Sequence, residues 1–290
     1  MRYVFMRYPD GKAKAATFSY DDGGPNDKRL AKLLAKYGIK GTFNLNCARL
    51  KEMNNKKSLT KEEINEYFVY GHEVAVHGEL HRANGSLRPI EGIRDVLNCR
   101  LELEKVTGRI IRGMAYPDTG ITIMGVNTSY AEIKQYLKEL GIVYARTLGG
   151  DNNQFMLPSD FYAWMPTAHQ INPKLSEYVD EFIALDLSTK TYKAKRNPRL
   201  LYIWGHAHEF MVEEDWERIE QIFRKISDAD DIWLATNIEI YDYVTAYRSL
   251  IYSADGYTVY NPTLIKLFMD IDGKLYSIAP GETLKIEENN

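Results

Sequence analysis

From residue 15 to about residue 245 the apolar positions fall into two alternating textures. Short β-branched or aromatic runs are separated by longer stretches in which apolar residues recur every three or four positions. The short runs predict strands at 16–20, 41–46, 73–77, 110–116, 143–148, 164–169, 199–206 and 232–236. The longer stretches predict helices at 26–38, 59–71, 89–108, 129–141, 174–185 and 213–227. Their ends carry start and stop chemistry: Thr60 with Glu63 and Ser129 with Glu132 stand at capping-box spacing, and Gly38 closes the first helix.

Strands alternating with helices argue for βα units on a parallel sheet. About eight of them, with no G-x-G-x-x-G turn, suit a closed or nearly closed β/α barrel better than an open doubly wound sheet. After about residue 248 the texture becomes period two, with an Asp272-Gly273 turn, and predicts a small antiparallel β appendage. The expected organisation is therefore a barrel over residues 1–247 and a β extension over 248–290.

Composition narrows the partners rather than the fold. With 44% hydrophobic and 27% charged residues the chain reads as globular. A net charge of -3 gives no electrostatic reason to expect nucleic acid or anionic lipid. No window reaches the ~20 apolar residues that span a bilayer. The first residues lack the apolar core of a secretory leader, so the sequence as written reads as cytoplasmic, or as secreted if a leader has been removed. Cys47 and Cys99 make no disulfide framework and are expected to be buried free thiols.

Reactive side chains gather where the predicted strands end, the place where barrels of this kind carry their chemistry. Asp21 and Asp22 follow the first strand, His77 and His81 the third, Tyr116 the fourth, His169 the sixth and His206 the seventh, with Arg146 inside the fifth. Four of the six histidines are in that set. The four-residue spacing in "HGELH" puts two imidazoles on one face of a helical turn, able to share one metal ion, and a carboxylate must complete such a shell. Asp22 is the candidate. Two adjacent carboxylates repel unless a dication absorbs the charge of one; Asp22 would then bind the ion and leave Asp21 to take a proton from water activated there. Alternatively, "DDGGPND" is only a turn and a helix cap.

The stretches "TFSYDDGGP", "GHEVAVHGELH" and "YIWGH", in that order and at about those separations, resemble the first, second and fifth motifs of the polysaccharide deacetylases, the NodB homology or carbohydrate esterase family 4 domain. The resemblance spans roughly residues 13–245. It implies a distorted (β/α) barrel of about seven to eight strands, fewer of them regular than the run count suggests. It also implies one divalent ion, zinc first with cobalt, manganese and nickel compatible, held by Asp22, His77 and His81. Asp21 would be the base, His206 the acid that protonates the leaving group, and the Tyr116 backbone N–H the oxyanion donor. The substrate class it implies is an N- or O-acetylated carbohydrate.

The third motif departs from the family's Arg-x-Pro-Tyr-Gly: Met114 stands in the arginine position of "MAYP". Arg146 or Arg112 would then have to orient Asp21, Arg146 being preferred. Trp204 and His169 are candidate pocket residues, with Trp204 offering an apolar wall. His208 and Glu209, just past His206, read as loop residues. Three other readings stay open: cleavage of a small non-peptide C–N bond on the same barrel, an inactive carbohydrate-binding protein, and a non-haem iron oxygenase, which also uses two histidines and a carboxylate.

Overall fold

The computed structural model describes residues 3–51, 59–148, 152–187 and 196–287. In chain order the elements up to residue 248 are β1 (Val4–Arg7), β2 (Lys14–Asp22), α1 (Asp27–Lys36), β3 (Gly41–Leu45), α2 (Cys47–Lys51), α3 (Lys61–Val69), β4 (Glu73–Val76), α4 (Pro89–Thr107), β5 (Gly113–Ala115), α5 (Tyr130–Glu139), β6 (Tyr144–Arg146), β7 (Ala168–His169), α6 (Leu175–Ile183), β8 (Arg199–Gly205), α7 (Glu213–Ser227), β9 (Ile232–Leu234) and α8 (Asn237–Arg248). Five short strands follow: β10 (Ile251–Tyr252), β11 (Thr258–Tyr260), β12 (Leu267–Ile271), β13 (Lys274–Ile278) and β14 (Thr283–Lys285).

The main sheet runs β6-β5-β4-β3-β2-β8-β7, all parallel, and β9 pairs only with the first residues of β2. Seven strands thus form one curling path, with the eighth as a side limb. The segment leading into β7 bridges β6 at Trp164 before it joins β8, so the curl nearly closes on itself. This is the distorted barrel that the motifs imply. All eight predicted strands exist, but β5, β6 and β7 keep only two or three residues each. The predicted caps form as well: the Glu63 amide donates to Thr60 Oγ1 (3.3 Å) and the Thr60 amide to Glu63 Oε2 (2.9 Å). Gly38 ends α1 at φ +65°, a conformation glycine adopts without a Cβ penalty.

Besides the single turn of α2, two elements were not predicted. The first is α8, announced in the sequence only by the Thr236 and Glu239 capping box. The second is β1, whose partner in an antiparallel pair is β12 near the other end of the chain. The C-terminal strands are antiparallel as expected, in two three-stranded sheets, with Asp272 and Gly273 at positive φ in the turn from β12 to β13. Cys47 and Cys99 are free and buried.

Strand alternation explains what the barrel encloses. On β2, Ala16, Phe18 and Tyr20 face the helices as part of the apolar core, so Thr17, Ser19 and Asp21 point inward. The same phase on the other strands delivers Thr42 and Asn44, Glu73 and His77, Tyr144 and Arg146, and Tyr202, Trp204 and His206. The interior is therefore polar, and much of it is held by hydrogen bonds between its own groups. Glu73 accepts from Tyr144 Oη (2.7 Å), Thr42 Oγ1 (2.9 Å) and the Ile238 amide (2.9 Å). Asn237 joins Thr17, Thr42 and Tyr202.

Burial raises the Glu73 carboxyl to about 7, against the pull of its three donors. The folded chain therefore holds this proton more tightly than the unfolded one, and the associated stability is lost as pH rises from the ordinary carboxylate range to about 7. Glu73→Gln has no proton to lose. Its unfolding free energy should gain on the wild type across that window by about 3 kcal/mol. Denaturant titrations of both proteins between pH 4.5 and pH 8 check this; curves of constant separation would contradict it.

Candidate active site

The inward column ends at the carboxyl ends of the strands, and there the charged side chains meet. Asp21 is 2% exposed and Arg146 is fully buried. The Arg146 Nη2 donates to Asp21 Oδ2, while Asn44 Nδ2 donates to Oδ1 at 2.8 Å. Burial opposes the charged form of Asp21, but Arg146, His77, His206 and the Asn44 bond prevail and hold its pKa below the usual carboxylate range. The other face of the Arg146 guanidinium lies 4.1 Å over the Trp204 ring, so stacking as well as charge fixes it.

Asp22 leaves the strand at φ 84°, and His81 sits at φ 55°. Neither is a glycine. Strained backbone at such positions is tolerated only where the surroundings dictate it, and it gathers at functional sites. The strain brings Asp22 Oδ1 to 3.7 Å from His77 Nε2 and 3.4 Å from His81 Nε2. His77 donates Nδ1–H to the Ala115 carbonyl (3.0 Å), which leaves its Nε2 lone pair turned toward Asp22.

The three side chains offer ligand atoms within 4.8 Å of one another. Donors on bonds of ~2.1 Å in a tetrahedral shell lie about 3.4 Å apart, so these residues fit a divalent ion with little movement, and the donor set suits zinc. His208 approaches from outside, its Nδ1 4.0 Å from Asp22 Oδ2.

Across the site, Glu209 gathers the second histidine group. Its carboxylate accepts from His206 Nδ1–H (3.0 Å), from His169 Nε2 (3.2 Å) and from Gln170 Nε2 (2.7 Å). His169 Nδ1 accepts the Ile171 amide (3.3 Å), so its proton resides on Nε2, the atom facing Glu209. These bonds hold Glu209 far below the usual carboxylate range although burial opposes its charge. Burial also works against charge on His206, but Glu209, Asp21 and Asp22 outweigh it and raise the imidazole above its ordinary value. When protonated, His206, with its Nδ1–H held by Glu209, presents Nε2–H to the site.

A sequence model described as polysaccharide deacetylase matches residues 8–145, the stretch carrying Asp21, Asp22, His77 and His81. Solved structures give the same fold. A candidate polysaccharide deacetylase from Mycobacterium smegmatis is 18% identical with a TM-score of 0.54, over 83% of this chain and 93% of its own. A CE4 family pseudoenzyme from Bacillus anthracis is 15% identical with a TM-score of 0.50, over 82% of this chain and 68% of its own.

Over residues 8–145 the chain resembles the polysaccharide deacetylase family.

The chain spans 55% of the length of the Streptococcus pyogenes deacetylase PplD in complex with acetate, over 46% of its own length, at 19% identity and a TM-score of 0.40. Among curated proteins none matches. No helix among the described residues is long and apolar enough to cross a membrane.

Within this barrel, two sequence expectations need correction. Arg112 is remote from Asp21: it pairs with Asp242 of α8 at 2.5 Å, toward the amino-terminal end of the barrel. Because β5 begins only at Gly113, strand alternation does not extend to Arg112. Tyr116 is close to the site, but its backbone N–H donates to the Arg146 carbonyl (2.9 Å) and its hydroxyl to the Tyr162 carbonyl (2.9 Å). Neither is available as an oxyanion donor in this arrangement. Trp204 and His169 do line the site, their rings 4.4 Å apart. Asn44 and Glu209 were missed as functional groups. The first is visible only once β3 is paired with β2, whereas the second had a signal, the three-residue spacing from His206 that also forms a capping turn.

Proposed function

We propose that the protein is a metal-dependent hydrolase that removes acetyl groups from an N- or O-acetylated carbohydrate. The observation that carries this reading is the division of labour between the two adjacent aspartates: Asp22 faces two imidazoles while Asp21 is clamped by Arg146 and Asn44.

Asp22, His77 and His81 would hold the ion, which when bound supplies Lewis acidity to a carbonyl and makes a water acidic. Asp21, ionised and oriented, takes the proton from the attacking water. His206, cationic through Glu209, gives a proton to the departing nitrogen or oxygen of the sugar. Trp204, pinned by Arg146, offers an apolar wall beside the acetyl methyl. With the Tyr116 amide engaged, and Pro117 lacking one, the next amide along the chain is that of Asp118, where φ is 52°.

The reading is supported by how closely these groups gather: Asp22, His77 and His81 lie together, and Asp21 Oδ2 is 3.9 Å from His77 Nε2. The test is acetate release from acetylated chito- and xylo-oligosaccharides. Release should vanish on chelation and return with zinc, cobalt, manganese or nickel. Its rate should follow a bell in pH, with the acid limb set by Asp21 below the usual carboxylate range and the alkaline limb by His206 above the ordinary histidine value. Sugar binding without turnover at full metal occupancy would replace this reading by that of a binding protein.

A further inference from the structure

His77 and His81 are supported unequally. Ligating histidines almost always donate their second ring N–H to a fixed acceptor, which sets tautomer and ring orientation. His77 has the Ala115 carbonyl. His81 has no such bond: among the described residues no hydrogen bond reaches its Nδ1, although its Nε2 faces Asp22. At φ 55° and partly exposed, the residue lacks a regular backbone frame that would fix the ring in its place.

The loop carrying these ligands rests on α4, chiefly on Asp95. That side chain is 6% exposed. Its Oδ1 accepts the amide of Leu80, the residue before His81, at 2.8 Å, and its backbone carbonyl accepts the amide of Glu79 at 3.1 Å. Its Oδ2 is buried and has no donor. A buried carboxylate oxygen without a partner is costly, so a role is to be sought for it. The chain also makes room for this oxygen. At Gly78, φ +75°, an added Cβ would lie 2.4 Å from Asp95 Oδ2. A glycine between the two ligands is what lets the carboxylate reach under the loop.

We propose that Asp95 is a positioning residue for the metal site, its Oδ2 accepting the Nδ1–H of His81, directly or through one water, when Nε2 is turned to the ion. This rests on the reading of Asp22, His77 and His81 as ligands. Asp95 would thus do two things: Oδ1 sets the loop, and Oδ2 sets the ring.

Asp95→Asn separates the two roles, because the amide keeps an acceptor for the Leu80 N–H and removes the second acceptor. Metal-free wild type and variant are titrated with zinc against a chromophoric chelator. The variant should bind zinc about 10- to 100-fold more weakly, with thermal unfolding of the metal-free protein shifted by no more than a few degrees. Zinc affinity within about twofold of wild type would overturn the proposal and leave Asp95 as a loop tie only. Should the variant fail to fold, the zinc-loaded wild type decides by NMR of its imidazole N–H groups, with His81 assigned through His81→Gln. A His81 Nδ1–H that exchanges slowly with solvent is expected, and one that exchanges freely overturns the proposal. Failure of the wild type itself to bind zinc would instead sink the ligand reading, and this inference with it.

Discussion

Asp21→Asn should lower kcat for acetate release by about 10²- to 10⁴-fold, the usual contribution of a general base, while zinc binding persists. The two readouts part because the adjacent aspartates are held by different neighbours. The introduced side-chain amide keeps an oxygen that can accept from the Arg146 and Asn44 donors, so the local fold retains an acceptor at this place. It has no lone pair of carboxylate basicity, and that is the group the reaction draws on. Asp22, His77 and His81 are untouched by the change. A variant that released acetate within about threefold of wild type would remove Asp21 from the role of base. A variant that lost zinc together with activity would mean that the doublet acts jointly on the ion. Single-turnover measurements at saturating zinc distinguish the two.

The contrast between what the sequence announced and what it concealed follows the range of the interactions. The cluster of Asp22, His77 and His81 was legible because its geometry is largely local: two histidines four apart in one loop, and a carboxylate where a strand must end. Strand positions were legible for the same reason, since a run such as "GTFNLN" or "RLLYIWGH" carries its own pattern. Element lengths were less so. The run 110–116 is apolar enough for seven residues of strand, yet only Gly113–Ala115 finds a partner on each side, and Arg112 falls outside the pairing and turns to Asp242.

Groups whose role depends on a distant partner were harder. The polar alternation Thr17, Ser19, Asp21 is visible in the sequence, but a polar interior makes sense only when Asn44, Tyr202 and Asn237 are seen closing its hydrogen bonds. Asp95 looks like one more charge on an amphipathic helix until the 77–81 loop is laid over it. Tyr116 illustrates the reverse: a residue in the expected place whose donor is consumed by β6 pairing.

Arg146 is where fold and chemistry are most tightly joined, and its replacement should affect both. The sequence names it ahead of Arg112 as the group to orient Asp21. In the fold the side chain is 1% exposed, against 2% for Asp21. Removing one member of a buried ion pair leaves the other uncompensated, which costs about 3–5 kcal/mol. Asp21 can escape part of that cost by taking up a proton. Arg146→Met, which fills the space over Trp204 without charge, should therefore be destabilised most at neutral pH and less in acid, where Asp21 is neutral. The same change removes the strongest influence that lowers the Asp21 pKa, so burial regains control and the acid limb of the rate profile moves to higher pH. Arg146→Lys should recover some of the stability but not the profile, since an ammonium neither stacks on Trp204 as a planar guanidinium does nor holds the carboxylate in the same fixed fork. Unfolding titrations and pH–rate profiles on the two variants test both halves. An acid limb that stays in place in Arg146→Met would mean that Asp21 is tuned by the metal and the histidines, with Arg146 reduced to a structural tie.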